Sequence, residues 1–393
     1  MRIPRTTAVL LPLFLLFASC KSGEGTVKVG LLHSLSGTMA ISEAAVRDAE
    51  LLAIAEINAA GGVLGKQIEA VEADGESNPD VFARKSRELL TADGVSSVFG
   101  CWTSTSRQAV IPIFEDLNGL LWYPVQYEGM ERSRSVMYMG ACPNQQIVPA
   151  VEYCAERFGT RFFLIGSDYV FPRTAHAIIK AQLASLGGEC VGEVYEDMGM
   201  QDFTEVAAEI ARTHPDVVMN TLNGDSNVAF FSALAAAGIS AQDIPVMSFS
   251  IAEEEISRMD AKTLAGHLVA RNYFETLRTQ ENEHFVSAYT KRFGKERRTS
   301  APVEASYIAV HLWALACEKA GSFDTDAVRV AAKGLSFPAP EGLVTLDSGN
   351  QHLYKKVRIG TINAQGLIDE VWEAPSSVRP DPYLSTYAWA LGL

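Results

Sequence analysis

The chain has 393 residues, more than one compact core holds, so two lobes of ordinary size are expected. Hydrophobic residues make up 48% and charged residues 20%, spread along the chain, which excludes a disordered or low-complexity protein. The net charge of −14 argues against a nucleic-acid partner: the one dense basic cluster, Lys291-Arg292 with Lys295, Arg297 and Arg298, ends a predicted helix, where cations complement the dipole.

In chain order, Arg2 and Arg5 precede an apolar run, Ala8 to Phe17, broken at Pro12. The run is too short to span a bilayer and fits the core of an export signal. Ala18 and Ser19 then lead to Cys20 and the polar stretch Lys21-Ser22-Gly23-Glu24-Gly25. This resembles a bacterial lipoprotein signal, although Phe17 stands where that pattern usually has Leu. The resemblance implies that residues 1–19 are removed, that Cys20 is lipidated, and that residues 20–26 form a linker. An ordinary cleaved signal with a chance cysteine is the plainer alternative. Loss of Arg2 and Arg5 with no acid would take the charge from −14 to −16. Five cysteines besides Cys20 remain, an odd number with no metal-ligand spacing, so no pairing is assigned. No metal or other cofactor is expected.

From Val27 onward, short β-branched runs alternate with helical periods. Strands are predicted over 27–33, 68–73, 95–100, 120–123 and 136–139, with helices over 43–60, 79–90 and 103–116. The alternation restarts with helices over 147–158, 174–186, 203–212 and 228–237 and strands over 161–166, 190–195, 217–221 and 246–249. Helices over 281–293 and 303–320 and strands over 343–346 and 356–362 follow. The fold class is therefore α/β, with two doubly wound parallel-sheet lobes. Ligands of such sheets lie beyond the carboxyl ends of the strands, which places a site in the cleft between the lobes.

Catalytic signatures are missing: there is no phosphate-binding glycine loop, no Gly-x-Ser-x-Gly elbow and no His-Glu-x-x-His, and the seven histidines are scattered singly. No enzymatic activity is expected. Three polar and aromatic clusters instead mark strand ends: Gly100–Arg107, Tyr123–Gly129 and Gly166–Arg173. Each could be plain N-capping and core packing. Three together at the strand ends of a two-lobed fold point to a ligand site.

At these residues the chain resembles the type I periplasmic binding proteins, beginning with Val29–Ala40. More narrowly, Ser36–Glu43, the Trp102 loop, Tyr123–Gly129, Pro143–Gln146, Gly166–Arg173, Thr221–Val228, Phe337–Gly342 and Asn350–His352 resemble the urea-binding subunit of urea ABC transporters. The related short-chain amide-binding proteins tend to carry Tyr where this chain has Trp102 and Phe171. The resemblance spans residues 27–383. It implies a three-strand hinge, with crossings near 141–145, 269–273 and 337–342. One lobe would hold 27–142 and 272–338, the other 143–271 and 339–393. Closure around the ligand would present the closed form to the permease subunits of a transporter.

Urea is flat and neutral, with one acceptor oxygen and four N–H donors. Trp102, Tyr123, Tyr169 and Phe171 can supply flat walls; Ser104, backbone N–H groups and Gln126 can donate; Glu43, Gln126, Asn223, Asp225 and Glu304 can accept. Ser36 and Tyr127 enter the candidate site through the family motifs. Glu43 and Glu304 have an equally ordinary reading, a carboxylate in the first turn of a helix. Short-chain amides and branched-chain amino acids are the alternative ligands, and a cytoplasmic amide-sensing regulator the alternative role, against which the leader and Cys20 speak. The expected location is periplasmic or at the cell surface, with the membrane met only through the lipid.

Overall fold

The computed structural model describes residues 25–393, so the leader, Cys20 and most of the linker lie outside the described residues. The first lobe begins with β1 (Thr26–His33), α1 (Ala40–Ala59), β2 (Gln67–Asp74), α2 (Pro79–Glu88), β3 (Val98–Gly100), α3 (Ser104–Asp116), β4 (Leu121–Tyr123) and β5 (Val136–Tyr138). Its five strands are all parallel, in the order β2-β1-β3-β4-β5. Right-handed crossovers cover both faces of such a sheet, so its strands read as continuous apolar runs. Along α1 one apolar stripe faces the core: Val46, Ala49 and Ala53 are fully buried and Ile57 partly so.

The second lobe continues with α4 (Ile147–Arg157), β6 (Arg161–Ser167), α5 (Val170–Ser185), β7 (Glu189–Glu196), α6 (Thr204–Thr213), β8 (Val217–Thr221), α7 (Ser226–Ala236), β9 (Val246–Ser248), α8 (Glu253–Ile256), α9 (Ala261–Leu264) and β10 (Leu268–Arg271). The chain then returns to the first lobe with α10 (Gln280–Phe293), α11 (Ala301–Ala320), α12 (Thr325–Ala332), β11 (Ser336–Ala339), β12 (Gly342–Leu346) and β13 (Leu353–Tyr354), and ends in the second with β14 (Arg358–Ile362) and β15 (Ile368–Glu373). The second sheet runs β15-β14-β10-β9-β8-β6-β7. It is mostly parallel, with β14 and β15 joined antiparallel at one edge.

The buried apolar residues fall into one cluster in the first lobe and two on the faces of the second sheet. One boundary differs from expectation. Ala339, Val344, Leu346 and Leu353 are buried in the first-lobe cluster. The small antiparallel sheet β11-β12-β13 thus packs with the first lobe, and the last crossing lies after Tyr354 rather than near 337–342. Two side-chain amides tie the three crossings. Asn272 donates to the carbonyls of Gln145 (3.2 Å) and Lys356 (2.7 Å), and Gln145 donates to those of Leu353 (2.8 Å) and Val378 (2.9 Å).

Strand order also positions the site. In the first sheet β1 lies between β2 and β3, and in the second β6 lies between β7 and β8. Successive connections leave on opposite sides at β1 and β6, opening a crevice at the carboxyl ends. The loops facing each other there are those after β1 and β3 and those after β6 and β8.

Candidate functional site

The β1 loop is shaped by the first turn of α1. Glu43 is buried and accepts a hydrogen bond from the Ser34 N–H (2.7 Å). Beside it His33 lies 2.9 Å from Glu50 and 3.8 Å from Glu43. Burial alone would lower the His33 pKa, but Glu50 and then Glu43 outweigh it and raise it to about 9, so the imidazole is charged at neutral pH. Ser36 points elsewhere: it is exposed and donates to Asp74 (2.8 Å).

After β3 the backbone turns sharply. A Cβ on Gly100 would come within 2.1 Å of the Leu32 carbonyl oxygen, so only glycine fits against β1. Cys101 follows in the left-handed region (φ 63), a strained conformation for a non-glycine residue, and starts the loop into α3. Thr103 caps that helix through the Ser106 N–H (3.0 Å), while the other N–H groups of the first turn lack intrahelical partners.

Trp102 is buried, and its indole Nε1–H has no hydrogen-bond partner. Its carbonyl accepts from the Tyr123 hydroxyl (2.6 Å). Ser104 is bonded to the Glu128 carboxylate and accepts from Arg107 Nη1 (3.0 Å). Arg107, fully buried, pairs with Glu128 (2.9 Å) and Glu131 (2.8 Å) and lies over the rings of Tyr123 (4.9 Å) and Tyr127 (4.7 Å). The hydroxyls of Ser104 and Tyr123, expected as free ligand groups, are therefore engaged inside the first lobe.

From the other side, Tyr169 approaches this cluster. Burial, with Tyr123 and Glu128 nearby, holds its phenol well above the ordinary value. Phe171 is buried in the second-lobe core, its ring 6.3 Å from that of Tyr169. Asn223 is turned inward: its N–H donates to Ser167 (3.1 Å) and its amide to the Thr221 carbonyl (3.1 Å). Asp225 is half-buried at the start of α7 and makes no side-chain cap to that helix. Gln126 bridges the lobes, donating to the Phe249 carbonyl (3.1 Å).

Two expected site residues have other surroundings. Tyr127 bonds to His352 (2.7 Å) and to the Glu131 carbonyl (3.0 Å) within a stack with Tyr138. Glu304 is fully buried near the hinge, where it accepts from the Glu341 N–H (3.1 Å). Burial and the Glu341 charge push its pKa up to about 8.

At the first lobe's crevice a cavity of about 140 Å³ is lined by Ser34, Met39, Glu43, Ser77, Phe82 and Thr105, with Met198 reaching in from the second lobe. No Lys or Arg lines it. Nearby, a Cβ on Gly224 would lie 3.1 Å from the Thr38 carbonyl oxygen, so the lobes touch beside the cavity. A larger groove of about 580 Å³ runs between Arg132, Asp347 and Arg379–Thr386, but no strand of either main sheet ends there.

Comparison with known proteins places this geometry. Residues 27–388 match the family model described as periplasmic binding protein domain. The chain belongs to this family. The leucine-, isoleucine-, valine-, threonine- and alanine-binding protein of Pseudomonas aeruginosa is 24% identical over 364 residues, covering 84% of this chain and 88% of that protein. A solute-binding protein of an ABC transporter from Rhodopseudomonas palustris BisB5, in complex with 3,4-dihydroxybenzoic acid, superposes with a TM-score of 0.83 at 22% identity, covering 90% of this chain and 99% of that one. A protein named limonene hydroxylase from Geobacillus stearothermophilus is 31% identical over 127 residues, and the match spans 32% of this chain and 23% of that protein. So partial a match carries no activity across.

In this periplasmic binding protein the sequence pointed to Glu43 but not to Met198, which follows β7 in a short turn beside Gly199. Nor did it single out Ser250, whose buried hydroxyl has no partner beside the Phe249 carbonyl that Gln126 and Gln146 (3.0 Å) reach. An unpaired hydroxyl is a property of the folded surroundings, and Ser250 by itself gives no signal. The five cysteines of the described residues are free thiols.

Proposed function

We propose that this protein is an exported, Cys20-anchored solute-binding protein that captures urea and delivers it to an ABC transporter by closing its lobes around it. The observation that carries the ligand reading is the cavity at the strand crevice. At about 140 Å³ it is close to a cavity that holds one benzene molecule, far below drug-sized pockets. Urea fits that volume. The Glu43 carboxylate offers acceptors to its N–H groups, and the first turn of α3 offers N–H donors to its oxygen. An amino acid would bring an α-carboxylate beside Glu43 with no cation among the lining side chains to meet it.

Acetamide replaces one NH2 with a methyl group and leaves a buried acceptor unpaired, a cost of about 1–3 kcal/mol, or roughly 5- to 150-fold in affinity. Calorimetric titration of soluble protein beginning at residue 26 tests the reading. Saturable one-site binding is expected for urea, weaker binding for acetamide and no heat for leucine. Tighter acetamide binding would move the protein to the amide branch. Binding of leucine would favour the second reading, a branched-chain amino-acid carrier, which the Pseudomonas relative and the uncapped Asp225 support as a partner for an ammonium group.

A further inference from the structure

The short helix α8 carries three consecutive glutamates, all buried: Glu253, Glu254 and Glu255. Such a run in sequence reads as a solvated acidic stretch. Here Ile251 and Ala252 before it and Ile256 after it are buried as well, and the glutamates meet the first lobe. Glu255 Oε1 lies 2.5 Å from the Ser42 hydroxyl of α1, and its Oε2 accepts from the Ala252 N–H (2.9 Å). Glu254 Oε1 accepts from the Ser300 hydroxyl just ahead of α11 (2.8 Å), while its Oε2 is buried with no partner. Glu253 accepts from the Glu275 N–H (3.2 Å). Ser42 and Ser300 belong to the first lobe and α8 to the second, so both serine contacts span the cleft.

We infer that α8 is a proton-operated latch: closure of the lobes buries Glu254 and Glu255 against Ser300 and Ser42 and takes up protons as it does so, making closure and ligand capture dependent on pH. The inference requires hinged closure but not the urea assignment.

Charge accounting supports it. Arg271, at the end of β10, is the cation within the cluster; its Nη2 donates to the Ile251 carbonyl (2.9 Å) and its Nη1 has no partner. Glu275 faces Glu253 but is itself paired with Arg298 (3.0 Å). Tyr289 of α10 and Arg297 after it face Glu254, and Arg297 is paired with Asp48 of α1. Tyr273 stands beside Glu253. Three adjacent carboxyls with one unshared arginine cannot all stay ionised away from water. Burial, then Glu275, raises Glu253 to about 8; burial, then Glu255, raises Glu254; and burial raises Glu255.

The sign follows from which state holds the protons. When the lobes part, α8 returns to water and its carboxyls to about 4.3. The closed form, with raised values, is favoured most at low pH. It loses ground as pH rises from that value towards the raised values of the buried carboxyls, by up to about tenfold per pH unit for each proton taken up.

Small-angle scattering of the ligand-free mature chain at pH 5.5 and pH 8.5 reads closure without any ligand. The radius of gyration is expected to be larger at pH 8.5. The triple variant E253Q/E254Q/E255Q, whose amides stand in for the protonated carboxyls, should be equally compact at both. Urea titrated at the same two pH values should bind more weakly at pH 8.5 in the wild type and equally in the variant. An unchanged radius in the wild type would overturn the latch, as would a variant that keeps the full pH response. Should the variant fail to fold, the wild-type scattering still decides. Should urea give no heat while the radius still shifts with pH, the ligand assignment fails and the latch stands.

Discussion

Arg107 shows how one side chain organises the first half of the site. With its guanidinium fully buried between Glu128 and Glu131, it fixes Ser104 and underlies Tyr123 and Tyr127. Replacing it with Ala would strand the buried Glu128 carboxylate and leave the partly exposed Glu131 without its partner. Loss of one partner of a buried pair costs about 3–5 kcal/mol, so Arg107→Ala is expected to lower the guanidinium-chloride midpoint sharply. Arg107→Lys keeps the charge without the planar fork and should fall between. A variant as stable as the wild type would show that the ion pairs are not the organising contacts. The positions of these residues were legible in the sequence because hydroxyl and aromatic residues gathered at strand ends. Their roles were not. Ser104 reads as a free donor until Glu128 is folded onto it, and Tyr127 as a site residue until His352 arrives from far along the chain.

Among the elements, the alternation of strands and helices was readable from Val27 to Phe249 because buried parallel strands are apolar runs and their helices carry a regular stripe. It failed where elements are too short for periodicity. β10 has four residues, yet it stands inside the second sheet between β9 and β14. The boundary at 338, which the resemblance implied, put β12 and β13 with the second lobe, whereas Val344, Leu346 and Leu353 are buried with the first; a short antiparallel sheet at a crossing carries no local mark of which core receives it. The hinge itself rests on two amides. Asn272→Ala would remove the donor from the Gln145 and Lys356 carbonyls, at about 1–3 kcal/mol for each acceptor left dry. The expected outcome is a lowered melting temperature with both sheets intact by circular dichroism. Unaltered melting would mean that the crossings are held by backbone packing alone.

For the molecule as a whole, length was enough to predict two lobes, and the strand order then located the crevice in each. The lobes meet through Gln126 and Phe249, through Ser42 and Glu255, and through Ser300 and Glu254, a set of polar contacts, and a small void lies where Met198 reaches the first lobe. The account's central claim is that this void, beside Glu43 and under Met198, receives one small, flat, neutral ligand. Crystals grown with selenourea, a urea isostere whose selenium scatters anomalously, test it most directly. One anomalous peak inside the cavity within reach of Glu43 and the first turn of α3 is the expected result. Peaks elsewhere in the cleft, with the cavity empty at saturating selenourea, would contradict it.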